Sequence, residues 1–302
     1  MTPAISVAGL TRRYGGQIAL DDVTFDVEPG SITGLLGRNG AGKTTLLRII
    51  AGHEFASVGS VSIFGSPPVE NDKVLGKMVF IREDQVYPCG GWAFRVRNAL
   101  QAASWLYPNW DHDLAETLIR DFGLPRGKAV QKLSRGMRSA LGIVIGLASR
   151  AELTLFDEPY AGLDPVARQL FYDRMLTDYA EHPRTVLLST HLIDEAAGLL
   201  ERVVVIDRGR VVLNAAADDV RGTATRVSGP TIAVTDFTAG RTVWDRRKFA
   251  SQESVVIAGQ LGDAARARAR ALYLDLEPLT LQQVVVHATR MQEAGVRERT
   301  IA

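Results

Sequence analysis

Residues 34–47, GLLGRNGAGKTTLL, combine glycines, a lysine and a threonine at a spacing suited to holding phosphate groups. Gly37, Gly42, Lys43 and Thr44 satisfy the pattern G-x-x-x-x-G-K-[ST] of a P-loop. Glycines let backbone N–H groups converge on phosphate oxygens, the lysine adds a positive charge, and the threonine hydroxyl can coordinate Mg²⁺. A glycine-rich turn can match the pattern by accident, so the elements on either side decide the interpretation.

Two adjacent carboxylates follow an apolar run in residues 151–165, AELTLFDEPYAGLDP. The run LTLF suits a strand buried on both faces, and ligands gather at the carboxyl ends of such parallel strands. Asp157 would hold Mg²⁺ through water, and Glu158, on the other side of the chain, could act as general base for an attacking water. A solvated strand end would be the better interpretation in isolation, but a P-loop in the same chain favours the catalytic one.

Two further positions could contact an anion. His191 stands between an apolar run and a helical pattern in residues 184–200, where it could stabilise charge on a γ-phosphate. Most lone histidines are simply packed or exposed, and both interpretations stay open for His191. Ser134 precedes the Ala-rich helical run of KLSRGMRSALG, as at a helix N-terminus that holds an anion.

The elements that must position these residues indicate an α/β protein. SITGLLG before the P-loop reads as a buried strand, and TTLLRIIAG after it has helical spacing and a terminal glycine. Residues 84–150 read as several helices, with Pro108 breaking one, Asp111 or its neighbour capping the next and Gly123 ending it. With strand, loop and helix all present, the P-loop interpretation holds.

The catalytic pattern stops near Gly222, and the remaining residues predict the order β-α-β-β-α-β of a small ferredoxin-like unit. Its first helix is the ambiguous element, because TIAV would serve equally well as a strand. Arg266 and Arg270 share a helix face while Arg268 points elsewhere, so a solvated helix is favoured over a nucleic-acid site. We expect an accessory or regulatory domain.

Composition narrows the function classes. The 302 residues carry 35 Lys and Arg against 34 Asp and Glu, a net charge of +1 that gives no attraction to nucleic acid. The apolar runs are too short to cross a bilayer, and MTPAISVAGL lacks a basic region followed by an apolar one, so we expect neither a membrane span nor export. The single cysteine, Cys89, excludes an internal disulfide, and the five histidines lack metal-ligand spacing. A reducing cytoplasm is expected.

The order of these motifs resembles the nucleotide-binding subunit of an ABC transporter over about residues 4–220, with LSRGM at the position of that family's signature sequence. The resemblance implies a P-loop NTPase fold with a RecA-like core, an N-terminal antiparallel β subdomain and a helical subdomain at about residues 84–150. Residues 1–221 would form this ATPase domain, and residues 222–302 the small α+β domain. YPNWD further resembles ATPases of drug or antibiotic exporters.

The resemblance also assigns roles to single residues. Tyr14 would stack on adenine, although it could equally be a core aromatic. Ser134 and Gly136 would contact the γ-phosphate of an ATP held by a second subunit, Asp164 would lie in the loop linking the two sites, and His191 would be the switch histidine. The phosphates and Mg²⁺ would be held by Gly37, Arg38, Asn39, Gly40, Ala41, Gly42, Lys43, Thr44 and Thr45.

Three positions depart from the family's pattern. Arg135 replaces the first of two glycines after the signature serine, and Tyr160 replaces the usual threonine after DEP. At the register of the glutamine loop stands Glu83, with Gln85 two residues later. A carboxylate there can still contact Mg²⁺ or water, so we favour Glu83 as a further metal ligand.

The resulting expectation is Mg²⁺-dependent ATP hydrolysis. In this family two ATPase subunits close head to tail on ATP and drive a separate transmembrane permease, here for export of a small molecule. We therefore expect a homo- or heterodimer, peripheral on the cytoplasmic face of the membrane, without nucleic acid. A soluble ATPase acting on ribosomes or DNA and a non-hydrolysing ATP sensor are the alternatives; the transported substrate cannot be inferred from this sequence.

Overall fold

A computed structural model describes residues 2–82 and 94–289 of the chain. These fall into two compact units, the first ending at Val211 and the second beginning at Val212. The division lies within a strand, Arg210–Ala216, and thus earlier in the chain than Gly222, where the sequence suggests the boundary.

The first unit alternates strands and helices after an initial all-β segment. Its strands are β1 (Ile5–Tyr14), β2 (Gln17–Val27), β3 (Ile32–Leu36), β4 (Val58–Ile63), β5 (Met78–Arg82), β6 (Leu153–Asp157), β7 (Thr185–Thr190), β8 (Arg202–Asp207) and β9 (Arg210–Ala216). Its helices are α1 (Lys43–Ile50), α2 (Asp72–Leu75), α3 (Val96–Leu106), α4 (His112–Asp121), α5 (Arg135–Ala148), α6 (Pro165–Glu181) and α7 (Ile193–Ala196).

Two sheets organise this unit. β2, β1 and β4 form an antiparallel sheet, and six strands form the larger sheet in the order β5-β6-β7-β3-β8-β9. β5, β6, β7 and β3 each pair in parallel with the next strand in this order. Every residue of β3, β6 and β7 is buried. Apolar strands covered on both faces are what a central parallel sheet requires. The carboxyl ends of β3, β6 and β7 therefore meet at one edge.

N-cap residues in the sequence determine where three of the helices begin. Asp111, Ser134 and Asp164 accept hydrogen bonds from backbone N–H groups at the starts of α4, α5 and α6. The Asp111 cap confirms one of the two positions that the sequence offers. α3 ends before Pro108, and α4 packs on α5 to build the helical part of the unit. None of the described helices is long and apolar enough to cross a bilayer.

The second unit contains α8 (Ala217–Val220), β10 (Ala224–Pro230), α9 (Thr231–Thr238), β11 (Val243–Phe249), β12 (Gln252–Ala258), α10 (Asp263–Ala271) and β13 (Asp275–Pro278). A final helix, α11, covers residues 281–289. β10 to β13 form an antiparallel sheet in the order β11-β12-β10-β13. The unit has a core of its own that includes Val227, Phe237 and Leu274. The β-α-β-β-α-β order predicted from the sequence is confirmed. The ambiguous TIAV segment is helical, because Val234 and Phe237 then both face the core.

Candidate active site

The P-loop connects β3 to α1 and is folded around a lysine. Gly42 caps α1 with φ 109°, and a Cβ on Gly37 would lie 2.3 Å from the Ile206 carbonyl oxygen. Gly42 is therefore required by its backbone conformation, and Gly37 by close packing. Lys43 is buried, and its Nζ donates to the carbonyl oxygens of Gly37 at 2.8 Å and Arg38 at 3.3 Å.

A cleft of about 680 Å³ opens beside this loop. Its volume lies in the range of small-molecule sites. Several residues that the sequence assigns to nucleotide binding line the cleft: Tyr14, Asn39, Gly40, Gly42, Lys43, Thr44, Thr45 and Glu158. The wall is completed by residues that sequence reasoning missed: Gln17, Ile18 and Ala19 of β2, and Arg208 and Gly209 of the distant β8–β9 turn. These segments carry no chemical pattern of their own.

Tyr14 stands at the edge of the cleft and is half exposed. Its hydroxyl donates to Glu54, and the Arg12 guanidinium lies 4.5 Å from the ring centroid. These contacts hold the ring at the cleft rather than in the core. A fixed aromatic ring in this position can stack on a base.

Asp157 ends β6 next to Thr44 of the P-loop. Burial raises the pKa of Asp157, while the Thr44 and Ser189 hydroxyls beside it oppose that shift. Its Oδ1 is buried and has no hydrogen-bond partner among the described residues. Hard oxygen ligands of this kind suit Mg²⁺. No group of three or more acidic, His or Cys side chains in residues 2–82 and 94–289 is arranged to hold a metal ion, so an ion here would need phosphate or water oxygens as well.

Glu158 contacts residues that follow two other strands of the larger sheet. Its backbone adopts φ 48°, a left-handed conformation that is unusual outside glycine and typical of constrained functional positions. Its two carboxylate oxygens contact different partners: Oε1 lies 3.3 Å from Lys43 Nζ, and Oε2 lies 2.9 Å from His191 Nδ1. An ionised carboxylate only accepts, so Nδ1 carries the hydrogen in this contact. β3, β6 and β7 thus each deliver one member of a Lys–Glu–His group.

Tyr160 supports this group from behind. Its buried hydroxyl lies 2.5 Å from Thr190 Oγ1, which also accepts from the Leu192 N–H at 2.9 Å. Its ring centroid is 6.2 Å from that of His191. Burial, the largest cause, raises the pKa of Tyr160 to about 12. The sequence showed Tyr160 only as a departure from a family pattern, and its role as a support needed the fold.

The signature segment packs on a different part of the same unit. Ser134 Oγ accepts from the Met137 N–H at 3.2 Å, and a Cβ on Gly136 would lie 2.5 Å from the Gly162 carbonyl oxygen. The aliphatic part of Arg135 also lies against Gly162. The structure therefore brings the signature segment to the 161–164 loop, whose Asp164 caps α6. Neither Ser134 nor Gly136 nor Asp164 lines the P-loop cleft described above.

Two further positions cannot be placed. Glu83 and Gln85 lie outside the described residues. The metal ligand assigned to Glu83 therefore stays a prediction.

Sequence comparisons relate the chain to one family of known proteins. Residues 20–161 match the family described as ABC transporter. The chain is 33% identical over 216 residues to the Nod factor export ATP-binding protein I of Rhizobium johnstonii, which is 69% of this chain and 68% of that protein. It is 30% identical over 200 residues to the ABC transporter ATP-binding protein YtrB of Bacillus subtilis, 66% and 67% of the two chains.

Solved structures give the same result. One described as the ATP-binding subunit of an ABC transporter is 29% identical, with a TM-score of 0.63 over 72% of this chain and 91% of that chain. A nucleotide-free ATP-binding cassette from an ABC transporter, 19% identical, shares the fold with a TM-score of 0.57 over 71% of this chain and 91% of that chain.

Proposed function

The chain belongs to the ABC transporter ATP-binding proteins, and from this premise we propose that Glu158 is the general base of its ATPase reaction and that hydrolysis powers export of a small molecule. Members of this family are ATPases whose activity is coupled to transport. The observation that carries the catalytic part of the proposal is the position of the Glu158 carboxylate, in the P-loop cleft between Lys43 and His191.

This geometry supports hydrolysis of ATP by the following step. Water attacks the γ-phosphorus, Glu158 accepts a proton from that water, and the bond between the γ-phosphorus and the β,γ-bridging oxygen breaks to give ADP and phosphate. Lys43 places positive charge where negative charge develops. His191 holds the Glu158 carboxylate through Nδ1, and its other nitrogen contacts the γ-phosphate.

The nucleotide is bound by the rest of the cleft. Tyr14 stacks on the adenine, and the loop from Gly37 to Thr45 surrounds the phosphates with backbone N–H groups. Thr44 and Asp157, with Glu83 as a further ligand, would hold Mg²⁺. The buried Asp157 Oδ1 without a partner supports this assignment. The ion would neutralise charge on the phosphates.

The signature residues act on a second subunit. We assign Ser134 and Gly136 to the γ-phosphate of an ATP bound by a partner ATPase, and Asp164 to the link between the two sites. This assignment is supported by their position away from the chain's own cleft and by the contact of Gly136 with Gly162. ATP closes the head-to-tail pair and hydrolysis reopens it, which moves a separate transmembrane permease at the cytoplasmic face of the membrane.

Export is favoured because a relative named for Nod factor export is 33% identical over two thirds of its length. We propose a small-molecule substrate, of the kind carried by drug and antibiotic exporters. The chain is then a peripheral subunit that has no need of nucleic acid.

Glu158→Gln tests the catalytic proposal. The variant keeps the shape of the side chain and loses the base, so ATP turnover is expected to fall by about 100-fold or more while ATP binding is retained. Glu152→Gln, at an exposed acid paired with Lys77, is the matched control and should turn over ATP at the normal rate. Equal turnover in the Glu158→Gln variant and the unaltered protein would remove Glu158 as the base.

Purification of the tagged chain from its native cells in detergent tests the transport proposal. A polytopic membrane protein in stoichiometric amount is expected among the co-purifying proteins. Ribosomal or DNA-repair proteins in its place would overturn the transport assignment and leave the ATPase assignment standing.

A further inference from the structure

The second unit contains a crevice of about 360 Å³ between α10 and the strands β10 and β13. Its wall is apolar where it meets the core of the unit, at Leu261, Leu274 and Leu276. The Thr225 side chain and two arginines, Arg266 and Arg270, supply its polar groups. A cavity of this volume with few polar groups has the character of a small-molecule site.

The two arginines lie one helical turn apart on the same face of α10. Arg266 Nε donates to the Leu261 carbonyl oxygen at 3.0 Å, which fixes the guanidinium at the crevice and leaves its terminal nitrogens for another acceptor. Arg270 has no carboxylate partner among the described residues. Neither arginine at the crevice is therefore paired with a carboxylate of residues 2–82 or 94–289.

The other arginines described in the second unit do have partners. Each of them has a carboxylate or an aromatic ring as partner: Arg221 with Asp218, Arg226 with Glu277, Arg241 with the Phe237 ring, Arg246 with Glu253, Arg247 with Asp245 and Arg268 with Asp236. In an ordinary solvated helix the unpaired arginines would be distributed without regard to cavities. Here the two unpaired ones both line the crevice.

We propose that this crevice binds an organic anion. Its carboxylate or phosphate group would pair with Arg266 and Arg270, since guanidinium groups bind either group in a bidentate manner. The apolar body of the anion would lie against Leu261, Leu274 and Leu276, where its burial adds to the affinity. The site lies wholly in the second unit and does not depend on the proposed ATPase mechanism.

Calorimetric titration of the full chain tests this proposal, with ADP present at saturation so that the nucleotide cleft does not contribute. The probes are 2-naphthoate, 2-naphthyl phosphate and the uncharged 2-naphthamide. One or both anions are expected to bind with a stoichiometry of one and at least about tenfold more tightly than the amide. The stronger of the two anions identifies the charged group for which the site is built.

Variants on α10 locate the binding. The double variant Arg266→Gln/Arg270→Gln is expected to weaken binding of the anions by about tenfold or more. Arg268→Gln, which removes the neighbouring arginine paired with Asp236, is the matched control and should bind within about twofold of the unaltered protein. All three positions are exposed, so the variants should keep the thermal unfolding temperature of the unaltered protein.

Three results would overturn the proposal. The amide could bind as tightly as the anions, the double variant could bind as the unaltered protein does, or Arg268→Gln could weaken binding as much as the double variant. None of these results bears on Glu158, whose role is read from ATP turnover.

Discussion

At the residue scale, Asp157 places a carboxylate where folding opposes its charge. Because burial raises its pKa above the ordinary value, the ionised form is less favourable in the folded chain than in the unfolded one. Stability therefore decreases as pH rises from the unfolded pKa through the folded one, and the cost is complete above the folded pKa. Such a cost is typical of a side chain kept for binding rather than for stability.

Asp157→Asn should therefore stabilise the fold at neutral pH. We expect the free energy of unfolding at pH 7 to rise, because the penalty on the charged group is removed. The gain should shrink as the pH is lowered through the folded pKa, where the native carboxyl becomes protonated. Urea unfolding at several pH values measures this, and ATP turnover of the same variant should be lost. A variant less stable than the unaltered protein at pH 7 would contradict the expectation.

Tyr160 is a second residue whose contribution can be separated from folding. Tyr160→Phe removes the hydroxyl bonded to Thr190 and keeps the ring near His191. A net loss of about 1 kcal/mol in orienting the residues around His191 corresponds to a roughly fivefold lower kcat, with KM for ATP unchanged. Tyr273→Phe, which removes an exposed hydroxyl of the second unit, is the control. An equal loss in both variants, or in neither, would exclude a positioning role.

At the scale of elements, the start of α5 and the 161–164 loop act as one packed piece. A Cβ on Gly136 would meet the Gly162 carbonyl oxygen at 2.5 Å, so Gly136→Ala must push helix and loop apart. We expect destabilisation by about 1–3 kcal/mol, together with reduced ATP turnover. Gly127→Ala, where a Cβ meets nothing within 4 Å, should leave both unchanged. Thermal unfolding and turnover of the two variants measure the difference.

The same scale shows what the sequence could predict. The strand, loop and helix around Lys43 follow from local signals, namely an apolar run, glycines and helical spacing. The order of strands and helices from β10 to β13 follows from similar signals. The exception is TIAV, whose helical conformation depends on packing against the core. The contacts of Tyr160 and the Arg208–Gly209 wall of the cleft could not be predicted, because they join segments far apart in sequence that only the sheet order brings together.

At the scale of the whole molecule, the end of the ATPase domain depends on which part of the chain β9 belongs to. β9 forms the edge of the six-stranded sheet, and the division between the compact units falls inside it. The boundary near Gly222 that the sequence suggests keeps all of β9 with the sheet that it completes. A cut after Val211 would instead leave only Arg210 and Val211 of this edge strand.

Two truncated chains distinguish these boundaries. Residues 1–221 should unfold in one cooperative thermal transition and bind ATP, because every strand of the larger sheet is complete. Residues 1–211 should unfold at a temperature lower by several degrees, since the edge strand of the sheet is cut to two residues. Calorimetry with and without ATP measures both. Equal unfolding temperatures would place the boundary at Val211 and show that the second half of β9 contributes nothing to the sheet, whereas the expected difference places it after β9.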